Sequence, residues 1–471
     1  MGASLRSTLA AGFGKIFSSF CHLLGIKPHH FWYEILGRCD FVTPQKAALI
    51  VFLPDPKVLT YEFQPMKMKS FSFDSTRLGR RLAAALFFAG LQLLVTFPNG
   101  NLLAGGENEE GRFFRWINLQ NLEGLFEKEE GHFFKWINLQ SDIAGVADRT
   151  DSKYLINPWG LAVSPTGIFW VADNHTGVST LYEPNGEPFP EPTRLVVTVP
   201  PSAGNTEGVA SPTGLVFNPF SKAFLLGDGK PALFIFDAED GGVSAWNPGS
   251  NPVTKAVLVA DSSNRGAVYK GLAIGNRTNG GPTLYATDFH NGRVDVFDSS
   301  FGLVDTAGFK PLGTPPIPPD FAPFGIANID GLIYVTYAEQ KPPDNADDLS
   351  GPGNGFINVF QTDGTFVRRL VSNGGLNSPW GLAKVPAGGF GEFGSDVLLV
   401  GNFGDGKINA FNIHTGASRG SLLHRKDQPL EFNGLWSLFF LHHRLYFTAG
   451  LADEEHGLFG FIRASKEGDH N

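Results

Sequence analysis

The chain has 471 residues and a net charge of −9, which is divided unevenly along its length. Residues 1–81 hold 11 basic and 5 acidic side chains, a net charge of +6, which leaves −15 for the remainder. This acidic remainder argues against nucleic acid as a partner, because neutralising a phosphate backbone needs clustered Lys and Arg. Both cysteines, Cys21 and Cys39, lie in the basic part, so the remainder uses neither disulfide nor thiolate chemistry.

The first 97 residues divide into a basic extension and an apolar run. Residues 1–81 show no repeat or β pattern, and we expect them either to be disordered or to be absent from the mature protein as a gene-model extension. The apolar run at 82–97 follows Arg80 and Arg81 directly, which is typical of a secretory signal or signal-anchor segment. A buried apolar segment is the alternative. We therefore expect a protein of the secretory pathway, extracellular or membrane-anchored through 82–97 with a lumenal main domain, while organelle targeting stays open.

A duplicated segment lies in and after the linker at 98–130. Glu109–Gln120 recurs as Glu129–Gln140, with 10 of 12 positions identical. The alternating apolar residues of Phe133–Leu139 predict a β-strand. The second copy opens the main domain, for which we expect the bounds 131–465, with a short tail at 466–471.

A near-constant period organises the main domain. Six Gly-Leu-type pairs each open a short apolar run, at spacings of 54, 57, 54, 56 and 53 residues: Gly160-Leu161, Gly214-Leu215, Gly271-Leu272, Gly325-Ile326, Gly381-Leu382 and Gly434-Leu435. Such a period holds four short strands and their turns, which is one propeller blade. The prediction is an all-β, six-bladed β-propeller, monomeric, in which Phe133–Leu139 supplies the outer strand that the sixth blade lacks.

Strand polarity predicts where function lies. The first strand of each blade begins, and the second ends, at one mouth of the central channel, and loops on a rigid scaffold commonly carry binding residues. The long loop at 339–354 lies over the same mouth. The residues that we expect there, as candidates for ligand binding, are Trp159, Asp173, Asn174, Asp228, Asp288, Tyr337, Trp380, Asn402 and His456.

Several ordered motifs carry a family resemblance. The segments NPWGLAVSP, FWVADNHTGVSTLY, SPWGLAKVPAGGFGEF, LLVGNFGDGKINAF and LYFTAGLADEEHGLFG resemble an uncharacterised six-bladed propeller family of plants and bacteria, within the wider NHL-like and TolB-like group. The resemblance covers about residues 135–463. It implies the propeller fold and a frequently exported protein, and it implies no catalytic residue.

The candidate side chains permit two interpretations each. Asp173, Asp288 and Asn402 either cap local turns or form a ring of oxygen ligands for a divalent cation such as calcium. Trp159 and Trp380 either pack between blades or form an exposed platform for a sugar or peptide. The histidines of the same loops, His175, His290 and His456, are a less favoured zinc set. Two sequons make Asn276, and less readily Asn174, candidates for N-glycosylation.

Two functions follow from these alternatives. The first is an exported or lumenal propeller that binds a small molecule, glycan or protein at the channel mouth. The second is a metal-dependent hydrolase or lactonase, which needs convergent Asp, Glu, Asn or His ligands and a base. We favour binding, since a fold alone does not specify an activity.

Overall fold

The computed structural model describes residues 133–304 and 308–465 in full, together with the backbone of four strands that precede them. The chain separates into two compact units, Met1–Glu129 and Glu130–Asn471. In the first unit, β1 (Ala47–Phe52) pairs with β2 (Val58–Phe63), and β3 (Asn101–Asn108) pairs with β4 (Gly111–Asn118). β1 and β2 lie within 1–81, where β-branched and aromatic residues favour strand pairing. The expectation for 1–81 as a whole stays a prediction.

The second unit is a ring of six sheets whose strands are antiparallel except for the short last strand of blade six. Blade one contains β7 (Pro158–Val163), β8 (Phe169–Asp173), β9 (Val178–Tyr182) and β10 (Val196–Thr198). Blade two contains β11 (Pro212–Phe217), β12 (Phe234–Ala238), β13 (Gly242–Trp246) and β14 (Val257–Asp261). Blade three contains β15 (Tyr269–Arg277), β16 (Gly281–Asp288), β17 (Arg293–Phe297) and β18 (Leu303–Val304). Single 3-10 turns lie at Asn174–Thr176 and Ser263–Arg265.

The remaining blades follow the same order. Blade four contains β19 (Phe321–Ile329), β20 (Leu332–Glu339), β21 (Phe356–Gln361) and β22 (Phe366–Ser372). Blade five contains β23 (Pro379–Lys384), β24 (Val397–Asn402), β25 (Ile408–Asn412) and β26 (Ser418–Ser421), and a small hairpin follows it, β27 (Leu423–Arg425) with β28 (Gln428–Pro429). Blade six contains β29 (Leu435–Leu441), β30 (Arg444–Leu451), β31 (His456–Ser465), β5 (Phe133–Ser141) and the short parallel β6 (Arg149–Thr150). The six-bladed propeller is thus confirmed.

An N-terminal strand closes the ring. β5 runs antiparallel to β31, with Phe133 opposite Ser465 and Ser141 opposite Leu458. The Phe134 ring is buried in the interblade core, with its centroid 4.9 Å from that of Phe390. The predicted closing role of Phe133–Leu139 is therefore confirmed, and the last blade gains the outer strand that its own sequence lacks.

The glycine period reflects the close approach of the innermost strands. A Cβ on Gly325 would lie 2.1 Å from the carbonyl oxygen of Trp380 in the next blade, a distance that no side chain can occupy. Second-strand threonines join the same seam, because Thr336 donates its hydroxyl to the carbonyl of Pro379 at 2.5 Å. The inner ring is therefore a set of tight backbone contacts between neighbouring blades.

Two predicted strand positions are wrong. In blade two, the sequence predicts that the apolar run Leu225–Asp228 ends the second strand. The structure shows a turn there, and the second strand is β12. The preceding apolar residues are held by packing, since Phe224 is buried against Phe301. In blade six, the pairing of β29 with β30 places Ser437 at the position that Gly160 occupies in blade one. Ser437 lies three residues beyond Gly434. Gly434 is instead a left-handed residue ahead of the strand, at φ 64°.

Some predictions fall outside the described residues. The apolar run at 82–97 and the tail at 466–471 are among them, so the signal or anchor segment stays a prediction. Among the residues that the structure describes, no helix has the length and apolar character needed to cross a membrane.

Candidate binding site at the channel mouth

Six equivalent positions line the channel just inside its mouth. In the first strand of each blade, one of them directly precedes the inner glycine, or Ser437 in blade six: Trp159, Thr213, Lys270, Phe324, Trp380 and Trp436. Four of the six are large aromatic residues and one is a lysine. Aromatic side chains therefore line most of the mouth, and Lys270 is the one charged residue among these six positions.

The aromatic residues fill the channel. The Trp159 and Trp436 rings stack with their centroids 3.4 Å apart, and the Trp380 ring meets both edge-on at 6.1 and 5.6 Å. Phe403 stacks on the other side of Trp436 at 4.2 Å. Trp159, Trp380 and Trp436 are 3%, 8% and 1% exposed. The platform interpretation of Trp159 and Trp380 is therefore wrong, because these rings pack on one another as a plug.

A buried lysine lies over this plug. Lys270 is 2% exposed, and its ammonium lies 5.2 Å from the centroid of the Trp159 ring. The ammonium pairs closely with Glu239 and lies 3.3 Å from Oδ1 of Asp347. Burial acts to lower the pKa of Lys270, but the carboxylates of Glu239 and Asp347 outweigh it and hold that pKa above its ordinary value. The lysine is therefore a fixed cation.

Two asparagines and a second glutamate extend the cluster. Asn174 Nδ2 donates to Glu239 Oε2 at 3.0 Å, and Asn157 Nδ2 donates to Glu454 Oε1 at 3.1 Å. Asn157 Oδ1 also accepts from the indole of Trp436 at 3.2 Å, which joins the cluster to the plug. Burial raises the pKa of Glu454 to about 7, and the nearby charge of Glu239 acts in the same direction. Glu454 is therefore able to exchange a proton near neutral pH.

The surrounding loops bring this polar cluster to solvent. The predicted loop at 339–354 does lie over the mouth, since it supplies Asp347, whose side chain is 70% exposed. The turn between β30 and β31 supplies Glu454 through three consecutive left-handed residues, Ala452, Asp453 and Glu454, at φ 51°, 55° and 69°. Backbone strain of this kind persists only where the surroundings hold it, and it is concentrated at functional sites.

The predicted oxygen ring does not form. Asp173 Oδ2 accepts from the backbone and hydroxyl of Thr180 within its own blade, at 3.1 and 2.8 Å. Asp288 pairs with Arg293 at 2.9 Å. Asn402 donates to the carbonyl of Gly375 at 2.8 Å. The expected convergence of Asp173, Asp288 and Asn402 on the channel axis, and with it their proposed cation site, is therefore wrong.

The error has a simple geometric cause. Successive residues of a strand point to opposite sides. Asp173 faces the strands of its own blade, whereas Asn174, the next residue, reaches Glu239 at the mouth. In blade two the counterpart of Asp173 is Ala238, and Glu239 follows it. The residues of the mouth therefore lie one position beyond the predicted ring.

The remaining candidates also lie outside the cluster. Asp228 is exposed in its turn, where it accepts from the backbone of Lys230. Tyr337 is fully buried within blade four. His456 Nδ1 lies 2.7 Å from Asp142 Oδ2, His290 Nδ1 contacts the carbonyl of Asp344, and His175 is exposed. Over 133–304 and 308–465, no three or more His, Cys, Asp or Glu side chains are grouped as a metal site would require.

The two sequons differ in access. Asn174 is 2% exposed and hydrogen-bonded on both sides of its amide, so the prediction of a glycan there is wrong for the folded protein. Asn276 is exposed near the end of β15, at the opposite face from the mouth. Asn276 stays the predicted acceptor.

A cavity lies beyond the plug. The first strands enclose a cavity of about 430 Å³ on the side away from the mouth, lined mainly by apolar side chains that include Leu161, Leu215 and Leu438. Trp380 lines this cavity and also belongs to the aromatic plug. The two ends of the channel therefore differ in chemistry.

These features define a six-bladed propeller with a plugged channel and a charged cluster at one mouth. No family model matches the chain. Uncharacterized protein R648 of Acanthamoeba polyphaga mimivirus is 34% identical over 318 residues, which cover 65% of this chain and 75% of that protein. Uncharacterized protein L690 of the same virus is 33% identical, over 65% of this chain and 80% of that protein. The chain belongs to the family of these proteins, and a family in plants and bacteria stays a prediction.

Solved structures show a more distant likeness. A streptogramin B lyase is 13% identical, with a TM-score of 0.42 over 72% of this chain and all of that one. A glucose dehydrogenase is also 13% identical, with a TM-score of 0.43 over 71% of this chain and all of that one. At these values the likeness carries no argument about activity.

Proposed function

We propose that this protein binds a small polar ligand at the channel mouth, through the cluster around Lys270. The observation that carries the proposal is this buried cation, held over an aromatic plug by side chains from other blades. Glu239 comes from blade two, Asp347 from blade four, and Asn157 and Glu454 from the junction of blades one and six. A site shared among blades uses the rigidity of the whole ring to hold its polar groups.

The cost of the cluster supports a role other than stability. Removing a lysine and its carboxylate from water is expensive, and apolar residues of similar volume are often as stabilising or more so. The equivalent positions in blades one, four, five and six show that aromatic side chains fit here. A charge at this position therefore adds chemistry that the fold itself does not need.

The accessible part of the cluster indicates the ligand. Lys270 is buried, whereas Asp347 is largely exposed and Glu454 is partly exposed. Carboxylate oxygens accept hydrogen bonds, so ligands that carry hydroxyl or amino groups fit this surface. We propose such a ligand, of small-molecule size or as the end of a glycan or peptide.

A hydrolytic role is the second candidate, and the raised pKa of Glu454 favours it. A carboxyl group that titrates near 7 is suited to general acid–base catalysis. The metal-dependent form of this alternative lacks its predicted ligands, since Asp173 and Asp288 bond within their own blades. An enzyme of this kind would show an activity that Glu454→Gln reduces by a much larger factor than it weakens ligand binding.

Export belongs to the same proposal. It is motivated by the apolar run at 82–97 after Arg80 and Arg81, and by the exposed sequon at Asn276. Mass spectrometry of the protein from its natural source tests it. A processed N-terminus or a glycan on Asn276 would support export, and an unmodified protein that retains Met1 in the cytosol would contradict it.

The binding proposal is tested by a thermal-shift and calorimetry screen of neutral sugars, amino sugars, amino acids and polyamines. Lys270→Met and Glu454→Gln should each weaken a positive probe at least tenfold. The matched controls are Lys384→Met and Asp330→Asn, which break an exposed ion pair at the opposite face and should leave binding unchanged. The proposal fails if no probe binds, or if both mouth variants bind as the wild type does.

A further inference from the structure

The closing strand has a near-identical second copy earlier in the chain. Phe113–Gln120 and Phe133–Gln140 differ only at one basic residue, Arg115 in place of Lys135. The structure uses the second copy in blade six, as β5, and pairs most of the first copy in its own hairpin, as β4 with β3. A propeller has one closing position, so the sequence contains one closing strand more than the fold uses.

The side chains that fill the closing position are the same in both copies. Phe134 packs on Phe390 and Phe393, with centroids 4.9 and 5.9 Å apart. Gln140 Nε2 donates to the carbonyl of Gly186 at 2.8 Å, and Leu139 is 3% exposed. The first copy has Phe114, Leu119 and Gln120 at these positions. Every one of these contacts is therefore available to the first copy's sequence.

The flanking residues explain why the second copy is preferred. Ser141 donates its hydroxyl to the carbonyl of Gly457, and Asp142 accepts from the Gly457 backbone at 2.7 Å and meets His456. The first copy has Asn121 and Leu122 instead, and leucine offers no acceptor. The second copy therefore gains a carboxylate at the end of the strand that the first copy lacks.

Chain connectivity permits the first copy to reach the closing position in place of the second. Sixteen residues separate Ser141 from β7, and 36 residues would separate Asn121 from it. Loop-closure entropy grows slowly with length, so this extension weakens closure by only about threefold. We propose that the closing position of blade six is a strand acceptor for either copy, with Phe113–Asn121 as the reserve strand when Phe133–Ser141 is not in place.

A deletion cycle on the full chain tests this proposal. Phe134→Asp places a charge against Phe390 and removes the second copy from the closing position. In the full chain with Phe134→Asp, the first copy should take the closing position. The melting temperature of this variant should therefore fall by less than half as much as that of the same variant in a chain that lacks 105–125. Phe114→Asp alone should have no effect, and Phe114→Asp with Phe134→Asp should behave as Phe134→Asp does in the deleted chain.

Hydrogen exchange directly reports whether the first copy has replaced the second in blade six. In the Phe134→Asp chain, 113–120 should gain protection, 133–141 should lose it, and β31 should stay protected. Phe134→Ala in both chains serves where the aspartate variant is insoluble. Light scattering should show a monomer, and a dimer would overturn closure within one chain. An equal fall in melting temperature with and without 105–125 would overturn the proposal outright.

Discussion

Replacing Lys270 with methionine tests the central feature of the mouth. The change keeps most of the side-chain volume and removes the cation, which leaves the Glu239 carboxylate, 27% exposed, with Asn174 as its remaining partner. Breaking a buried ion pair from one side costs about 3–5 kcal/mol. Because Glu239 keeps some access to water, we expect the lower end, about 3 kcal/mol in the free energy of unfolding.

This loss is measurable as a shift in melting temperature. For a large domain, 1 kcal/mol corresponds to about 2 °C, so Lys270→Met should lower the melting temperature by about 6 °C. The double variant Lys270→Met with Glu239→Gln removes both charges, and its amide still accepts from Asn174. It should recover most of the loss, because no buried charge is left unpaired.

Calorimetry and urea unfolding of the wild type, both single variants and the double variant form the complete cycle. Lys384→Met is the control, since that lysine pairs with Asp330 in an exposed position where a salt bridge contributes about 0–1 kcal/mol. If Lys270→Met is as stable as the wild type, or if the double variant is less stable than the single one, the argument for a tightly coupled buried pair is refuted.

Further outcomes follow from the ring, the titrating carboxyl group and the linker. Gly325→Ala should destabilise the ring by several kcal/mol, because its Cβ would meet a backbone carbonyl that cannot move, whereas Gly227→Ala has open space and should be neutral in urea unfolding. The raised pKa of Glu454 means that the folded state binds a proton more tightly than the unfolded state, so stability should fall as pH rises from about 4.5 to 7, and Glu454→Gln should reduce that slope in pH-dependent melting. Deleting 105–125 should leave the wild-type melting temperature unchanged, since β5 already closes the ring. Calcium, magnesium, manganese and zinc should also leave it unchanged, because Asp173 bonds within its own blade; a rise that Asp173→Ala abolishes would contradict this.

The fold was largely predictable from the sequence because the close contact between the first strands of neighbouring blades leaves a repeating pattern of glycines. Neighbouring inner strands approach so closely that Gly160 and Gly325 have no room for a Cβ, and a glycine recurs at this position in blades one to five. The missing outer strand of blade six and the alternating pattern of Phe133–Leu139 were likewise visible in the sequence, and together they identified the closure.

The register of individual strands was less predictable. Leu225–Asp228 has the composition of a strand but lies in a turn, because Phe224 is drawn into the core against the next blade. Gly434 keeps the approximate period without being the inner glycine, since a left-handed residue ahead of β29 also calls for glycine. Both errors have the same origin, because neither residue type is specific to one structure. Apolar residues fill packed turns as well as strands, and glycine suits left-handed positions as well as close strand contacts.

The site shows what only the tertiary structure decided. The sequence located the mouth and the loop at 339–354, and it placed Trp159 and Trp380 in the ring that contains Lys270. It did not show that Lys270 pairs with Glu239, because a contact between blades depends on which side of each strand faces the channel. A shift of one residue reverses that side. The chain alone therefore determined the ring, and the packing of its blades determined which charges meet at the mouth.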